Sequence, residues 1–166
     1  KPHAHAIINP FLTQDGWASS FEQLQQMIPE TKHIKFICPS ALAQPVTLNF
    51  GMVMPAWYDL YALSTNSKED IEGVQKTAKF VEAIIEQEMK SSGLGADRIV
   101  LGGFSQGGSM ALFVGLTTQK KLAGILGLST FAIGKNVILE KFNSANLTTP
   151  LLMCHGNADP LVKYDW

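Results

Sequence analysis

The 166 residues suffice for one domain with a substantial core and are short for two. Apolar residues make up 46% and charged residues 16%, which excludes a disordered chain, and a formal net charge of −1 gives nucleic acid no electrostatic purchase. No apolar stretch reaches the ~20 residues that span a bilayer, and the opening KPHAHAIINP has no signal-peptide h-region.

In chain order, HAIIN (5–9) reads as a strand and WASSFEQLQQMI (17–28) as a helix cut off by Pro29. HIKFICP (33–39) is a second strand. The long segment 40–67 has no clean period and reads as a flap over a site. The clearest helix covers 68–90, where Ile71, Val74, Ala78, Val81, Ile85 and Met89 recur at three- and four-residue steps. Ser67 is its expected cap, with Asp70 at the third helical position and Gly93 at the exit. RIVLGG (98–103) is a strand, QGGSMALFVGL (106–116) a tightly packed helix, and LAGILGLST (122–130) and PLLMCHG (150–156) are further strands. Such alternation implies an α/β fold: a mostly parallel sheet, helices on both faces, ligands beyond the carboxyl ends of the strands. Cys38 and Cys154 form neither a disulfide framework nor a metal site and read as reduced, mostly buried thiols of a cytoplasmic protein.

Gly103-Phe104-Ser105-Gln106-Gly107 matches G-x-S-x-G, a strand-to-helix turn that holds a serine hydroxyl exposed in a strained conformation. The following helix aims its amides and positive dipole end at charge developing near Ser105, and Gln106 offers a backbone N–H to an oxyanion. The competing reading is a Gly-rich turn whose serine only caps the helix. Downstream, MCHGNADPLV (153–162) places Asp159 on a loop after a later strand, where a hydrolase carries the acid that orients its histidine. An Asp-Pro turn without function is the alternative there. The order Ser then Asp favours the catalytic reading of both.

GGFSQGG, LTTQKKLAG, LGLS, CHGNADPLV and PVTLNFGMVMPAWYD (45–59) together resemble the acyl-protein thioesterase and carboxylesterase family of α/β-hydrolases. The resemblance runs from about Trp17 to the last residue. It implies a cytoplasmic serine hydrolase, cofactor-free, that removes long acyl chains from cysteine thioesters of S-acylated proteins, with lysophospholipids and simple esters as secondary substrates. Carried over by position, Ser105 matches the nucleophile, Asp159 the triad acid and Gln106 an oxyanion-hole residue. Met52, Met54, Trp57 and Leu63 match the border of the acyl channel, although composition alone would assign most of them to a core. Transient contact with a membrane surface and a homodimer are left open.

Two departures stand against these matches. Where the family has an H-G-L-G-D loop, this chain reads IINPFLTQDGWASSF (7–21), and Pro10 has no N–H to give an oxyanion. The triad histidine should follow the acid, yet Asp159 is followed by seven residues without a histidine. His3, His5, His33 and His155 all precede it; His155 reads as a structural residue of its turn, and His3 and His5 as part of a solvated terminus rather than a metal site. The expectation is therefore an incomplete α/β-hydrolase domain lacking the usual C-terminal strand and helix. Its alternative is an acyl- or protein-binding homologue without chemistry.

Overall fold

The computed structural model describes residues 4–9, 14–64, 66–142 and 144–164. Parallel strands dominate it because apolar runs alternate with helices long enough to cross back over the sheet. β1 (Ala4–Asn9) is followed by α1 (Gln14–Met27), β2 (Ile34–Ile37), a hairpin of β3 (Ala43–Val46) and β4 (Met52–Pro55), and α2 (Ile71–Ser92). Then come β5 (Ile99–Phe104), α3 (Gln106–Thr117), β6 (Gly124–Leu128), α4 (Lys135–Lys141) and β7 (Leu151–Cys154). The five-stranded sheet has the order β2-β1-β5-β6-β7 with every pair parallel. Strand order reverses between β1 and β5, so the carboxyl end of β5 lies at the switch point where such sheets bind ligands.

α3 is apolar all round and is buried without a break from Gln106 to Gly115, packed against β5, β6, α2 and α4. α2 lays Val74, Ala78, Val81 and Ile85 on the same core, the face that its periodicity indicates. Its start differs from the sequence expectation. Asp70 is the N-cap, its carboxylate accepting the Gly73 N–H at 3.0 Å and the Asp59 N–H at 2.9 Å, while the Ser67 hydroxyl donates to the Lys68 carbonyl. Asp70 directly precedes the first turn and its carboxylate reaches the Gly73 N–H, whereas Ser67 lies three residues upstream, out of reach of those amides. Gly93 leaves the helix at φ +75, as its position requires.

Three other expectations change. Segment 40–67, without a readable period, holds regular structure: its first half is the β3–β4 hairpin, closed through Phe50 and Gly51 at positive φ, with Asp59 accepting from the Thr47 N–H and hydroxyl at the turn. His5 is no solvated residue but 2% exposed on β1, its Nδ1 3.2 Å from Glu88 Oε2 outside hydrogen-bond angles. Lys35 reaches the same carboxylate at 2.7 Å. His3 and Pro10 lie outside the described residues. Cys154 is exposed, because β7 forms one edge of the sheet and is exposed along its whole length, whereas Cys38 is half-buried and burial pushes its thiol pKa up. None of the described helices is long and apolar enough to cross a membrane.

The cap assignment is open to measurement by urea denaturation. Asp70→Ala should cost about 1–2 kcal/mol and Ser67→Ala less than about 0.5 kcal/mol; equal losses would return the cap to Ser67.

Candidate active site

Ser105 sits between β5 and α3 at φ +51, ψ −121, a region that a residue with a Cβ seldom occupies. Three hydrogen bonds to its peptide groups hold it there. Its N–H donates to the Leu128 carbonyl at 2.9 Å, extending the β5–β6 ladder by one rung. Its carbonyl accepts the Ser109 N–H at 3.0 Å, the first bond of α3, and also the Thr130 hydroxyl at 2.7 Å. The turn closes because strand and helix touch backbone to backbone. A Cβ on Gly103 would lie 2.3 Å from the carbonyl of Gly107, and one on Gly108 would lie 2.7 Å from Thr130 Cβ. Ser105 holds the N-cap position of α3, yet its hydroxyl makes no capping bond. The hydroxyl is thus spared for another partner.

Gln106 opens the helix, and its N–H has no intrahelical acceptor. Its side chain is committed elsewhere: Oε1 accepts the Trp57 N–H at 2.9 Å and Nε2 donates to the Tyr58 carbonyl at 2.8 Å. An oxyanion can therefore meet only the backbone of this residue. Behind it, Ser109 Oγ donates to the Gln106 carbonyl at 2.7 Å and lies 2.6 Å from the Tyr58 hydroxyl, which burial keeps protonated by raising its pKa.

Asp159 follows β7 on the loop 155–162. One carboxylate oxygen accepts from the N–H groups of Leu161 at 2.9 Å and Val162 at 3.0 Å. These two bonds hold its pKa below the usual carboxylate value; desolvation opposes them, and the His155 charge and the Ser129 hydroxyl add smaller downward contributions. A depressed pKa means that this ordering of the loop is complete above about pH 4 and fades as the pH falls below it. His155 Nε2 lies 2.7 Å from the Val162 carbonyl and 3.7 Å from Asp159 Oδ2, and its ring meets Tyr164 edge-on. It braces the loop.

Ser105 and Asp159 line one cavity of about 400 Å³, within the range of small-molecule sites. Its other walls are mostly apolar: Val46, Leu48 and Met54 from the hairpin, then Leu60, Leu63, Phe104, Phe131 and Val162. The lining thus brings Ser105, Gln106, Asp159, Met54 and Leu63 together. Met52 and Trp57 are not among the lining residues. Met52 is 60% exposed at the start of β4, next to the hairpin turn. Trp57 is buried behind Ala56, its ring 6.4 Å from Phe80 and its carbonyl accepting the Thr77 hydroxyl. Among the described residues no histidine lines the cavity, and no group of three metal-ligating side chains occurs. Sequence reasoning missed Ser129 and Thr130. The signal was the polar pair directly after the apolar run of β6, at the carboxyl end where sites form.

Residues 13–166 match the family described as Phospholipase/Carboxylesterase. Among curated proteins, acyl-protein thioesterase 1 of Yarrowia lipolytica is 42% identical over 152 residues, which is 91% of this chain and 66% of that protein. Acyl-protein thioesterase 1 homolog 1 of Dictyostelium discoideum is 41% identical over 154 residues, with the same coverages of 91% and 66%. The chain thus spans just under two thirds of the length of these relatives. Among solved structures, Arabidopsis thaliana SOBER1 superposes with a TM-score of 0.86 at 31% identity, covering 98% of this chain and 78% of SOBER1. Zea mays acyl-protein thioesterase 2 gives 0.81 at 28% identity, covering 99% and 75%.

Backbone strain at position 105 has a direct consequence. Ser105→Gly removes the Cβ from a sparsely allowed conformation and should raise stability by about 1 kcal/mol in denaturant titration. A loss of stability would show that the elbow is relaxed.

Proposed function

The chain belongs to the phospholipase/carboxylesterase family of α/β-hydrolases, and from that premise we propose that its site cleaves long-chain acyl thioesters and esters through an acyl-enzyme on Ser105. The observation that carries this reading is the strained, uncapped Ser105 at the wall of an apolar cavity that it shares with Asp159. Thioesters of S-acylated proteins, palmitoylated ones first, are the favoured substrates, with lysophospholipids and simple esters behind them. Support comes from the relatives named acyl-protein thioesterases.

In this reading the acyl chain lies among Leu48, Met54, Leu63 and Phe131, and its carbonyl carbon meets Ser105 Oγ. Attack forms the Oγ–C bond, puts negative charge on the carbonyl oxygen and hands the Oγ proton to a general base, which gives it to the departing sulfur or oxygen when the intermediate collapses. That oxyanion takes the Gln106 N–H and the positive end of α3, a contact on the order of 10²–10³ in rate per donor. Collapse expels the thiolate or alkoxide and leaves an ester on Ser105, which water then releases. No metal or cofactor enters these steps. Asp159 is assigned the acid that orients and stabilises the proton acceptor.

The described histidines favour a second reading. His155 is bound to Val162, His5 is buried against Glu88, and His33 is exposed on the turn before β2. With no imidazole among the described residues between Ser105 and Asp159, the same cavity would hold acyl chains without turning them over.

A long-chain fluorophosphonate separates the two. The hydrolase reading predicts labelling of the folded chain at Ser105, lost in Ser105→Ala. Absent labelling together with palmitoyl-peptide binding that is indifferent to Ser105→Ala would replace it with the acyl-binding reading. Failure of both would overturn the acyl site itself.

A further inference from the structure

The three residues that close β6 touch both halves of the candidate site. Leu128 gives its carbonyl to the Ser105 N–H at 2.9 Å. Thr130, 2% exposed, donates its hydroxyl to the Ser105 carbonyl at 2.7 Å, so the nucleophile's peptide groups are gripped on both sides by one short segment. Thr130 reaches that position because Gly108 and Gly127 have no side chains. A Cβ on either would approach Thr130 to 2.7 Å and 2.9 Å respectively. Between these two residues stands Ser129, with φ +42 and no glycine's freedom to adopt it. That conformation turns its N–H to the Cys154 carbonyl at 2.8 Å, at the root of the loop that carries Asp159. Ser129 also lines the cavity beside Asp159, and its hydroxyl is the least of the groups that hold the Asp159 pKa down.

From this geometry we infer that Ser129 and Thr130 are positioning residues: one rigid corner that holds the nucleophile's elbow through Thr130 and the acid's loop through Ser129. The corner sets the separation and orientation of Ser105 and Asp159, which neither β5 nor β7 can fix alone because β6 stands between them. A strained φ on a serine is retained because the ladder bond to the Cys154 carbonyl fixes its N–H and Thr130, the next residue, is buried and bonded to Ser105. The inference rests on the hydrolase reading for its kinetic effect, but the corner itself is a structural statement.

The test has two arms on the full chain. In the first, the Leu161 and Val162 amide resonances follow Asp159 through its titration, and the midpoint lies below the ordinary value of about 3.9. Ser129→Ala should move that midpoint upward while His155, the other titratable group facing Asp159, is unchanged. An unmoved midpoint overturns the Ser129 half. In the second arm, the rate of Ser105 labelling by a fluorophosphonate should fall about tenfold or more in Thr130→Val, which keeps the shape and removes the hydroxyl. Thr130→Ser should restore it. Equal rates in wild type, Thr130→Val and Thr130→Ser, with all three folded, overturn the Thr130 half. If the wild type itself takes no label, the hydrolase reading fails, and hydrogen exchange at the Ser105 amide decides the Thr130 half instead. That exchange should accelerate in Thr130→Val and not in Thr130→Ser; unaltered exchange refutes the corner.

Discussion

Everything at the candidate site depends on the close approach of two backbones, the last turn of β5 and the first turn of α3. A Cβ on Gly103 would lie 2.3 Å from the Gly107 carbonyl, so only hydrogen fits. That contact compresses the change from extended to helical backbone into one residue, and Ser105 takes the strain as a positive φ. The consequence is chemical. A serine in a relaxed N-cap would bend its hydroxyl back onto the helix; here the hydroxyl is turned away and the first amides of α3 remain available to an anion.

Around this elbow the sequence assembles a wall rather than a lid. Gln106 uses its whole side-chain amide on the Trp57–Tyr58 peptide groups, which anchors the strand leaving the β3–β4 hairpin to the start of α3. Both partners are buried, so breaking either bond would strand a polar group away from water, at about 1–3 kcal/mol. The hairpin's inner face, with Val46, Leu48 and Met54, is thereby held over Ser105 as an apolar surface. In the proposed reading, affinity for an alkyl chain and placement of the nucleophile thus share one hydrogen-bonded link.

Much of the fold was legible because its signals are local. Strand–helix alternation, the three-four periodicity of α2 and the G-x-S-x-G turn each lie within a few neighbouring residues, and the structure follows them. What escaped depends on partners distant in sequence. His5 looks solvated until α2 brings Glu88 against it. The hairpin has no readable period because Pro45 and Pro55 interrupt short strands whose outer face is exposed. Met52 and Trp57 look like Met54 and Leu63 in composition, yet Met52 lies at the exposed start of β4 beside the hairpin turn, and the Gln106 clamp holds the Trp57 peptide beyond Ala56. Ser129 and Thr130 acquire meaning only once β6 lies between the strands that carry Ser105 and Asp159.

The central claim is that Ser105 is a nucleophile by virtue of its backbone. The most direct measurement is peptide mass mapping after brief exposure of the chain to a long-chain acyl thioester and acid quenching. The account predicts one acyl group on the tryptic peptide 99–120, which contains Ser105, and none on that peptide in Ser105→Ala. An unmodified peptide 99–120 from the folded chain, or acylation that survives Ser105→Ala, would contradict it.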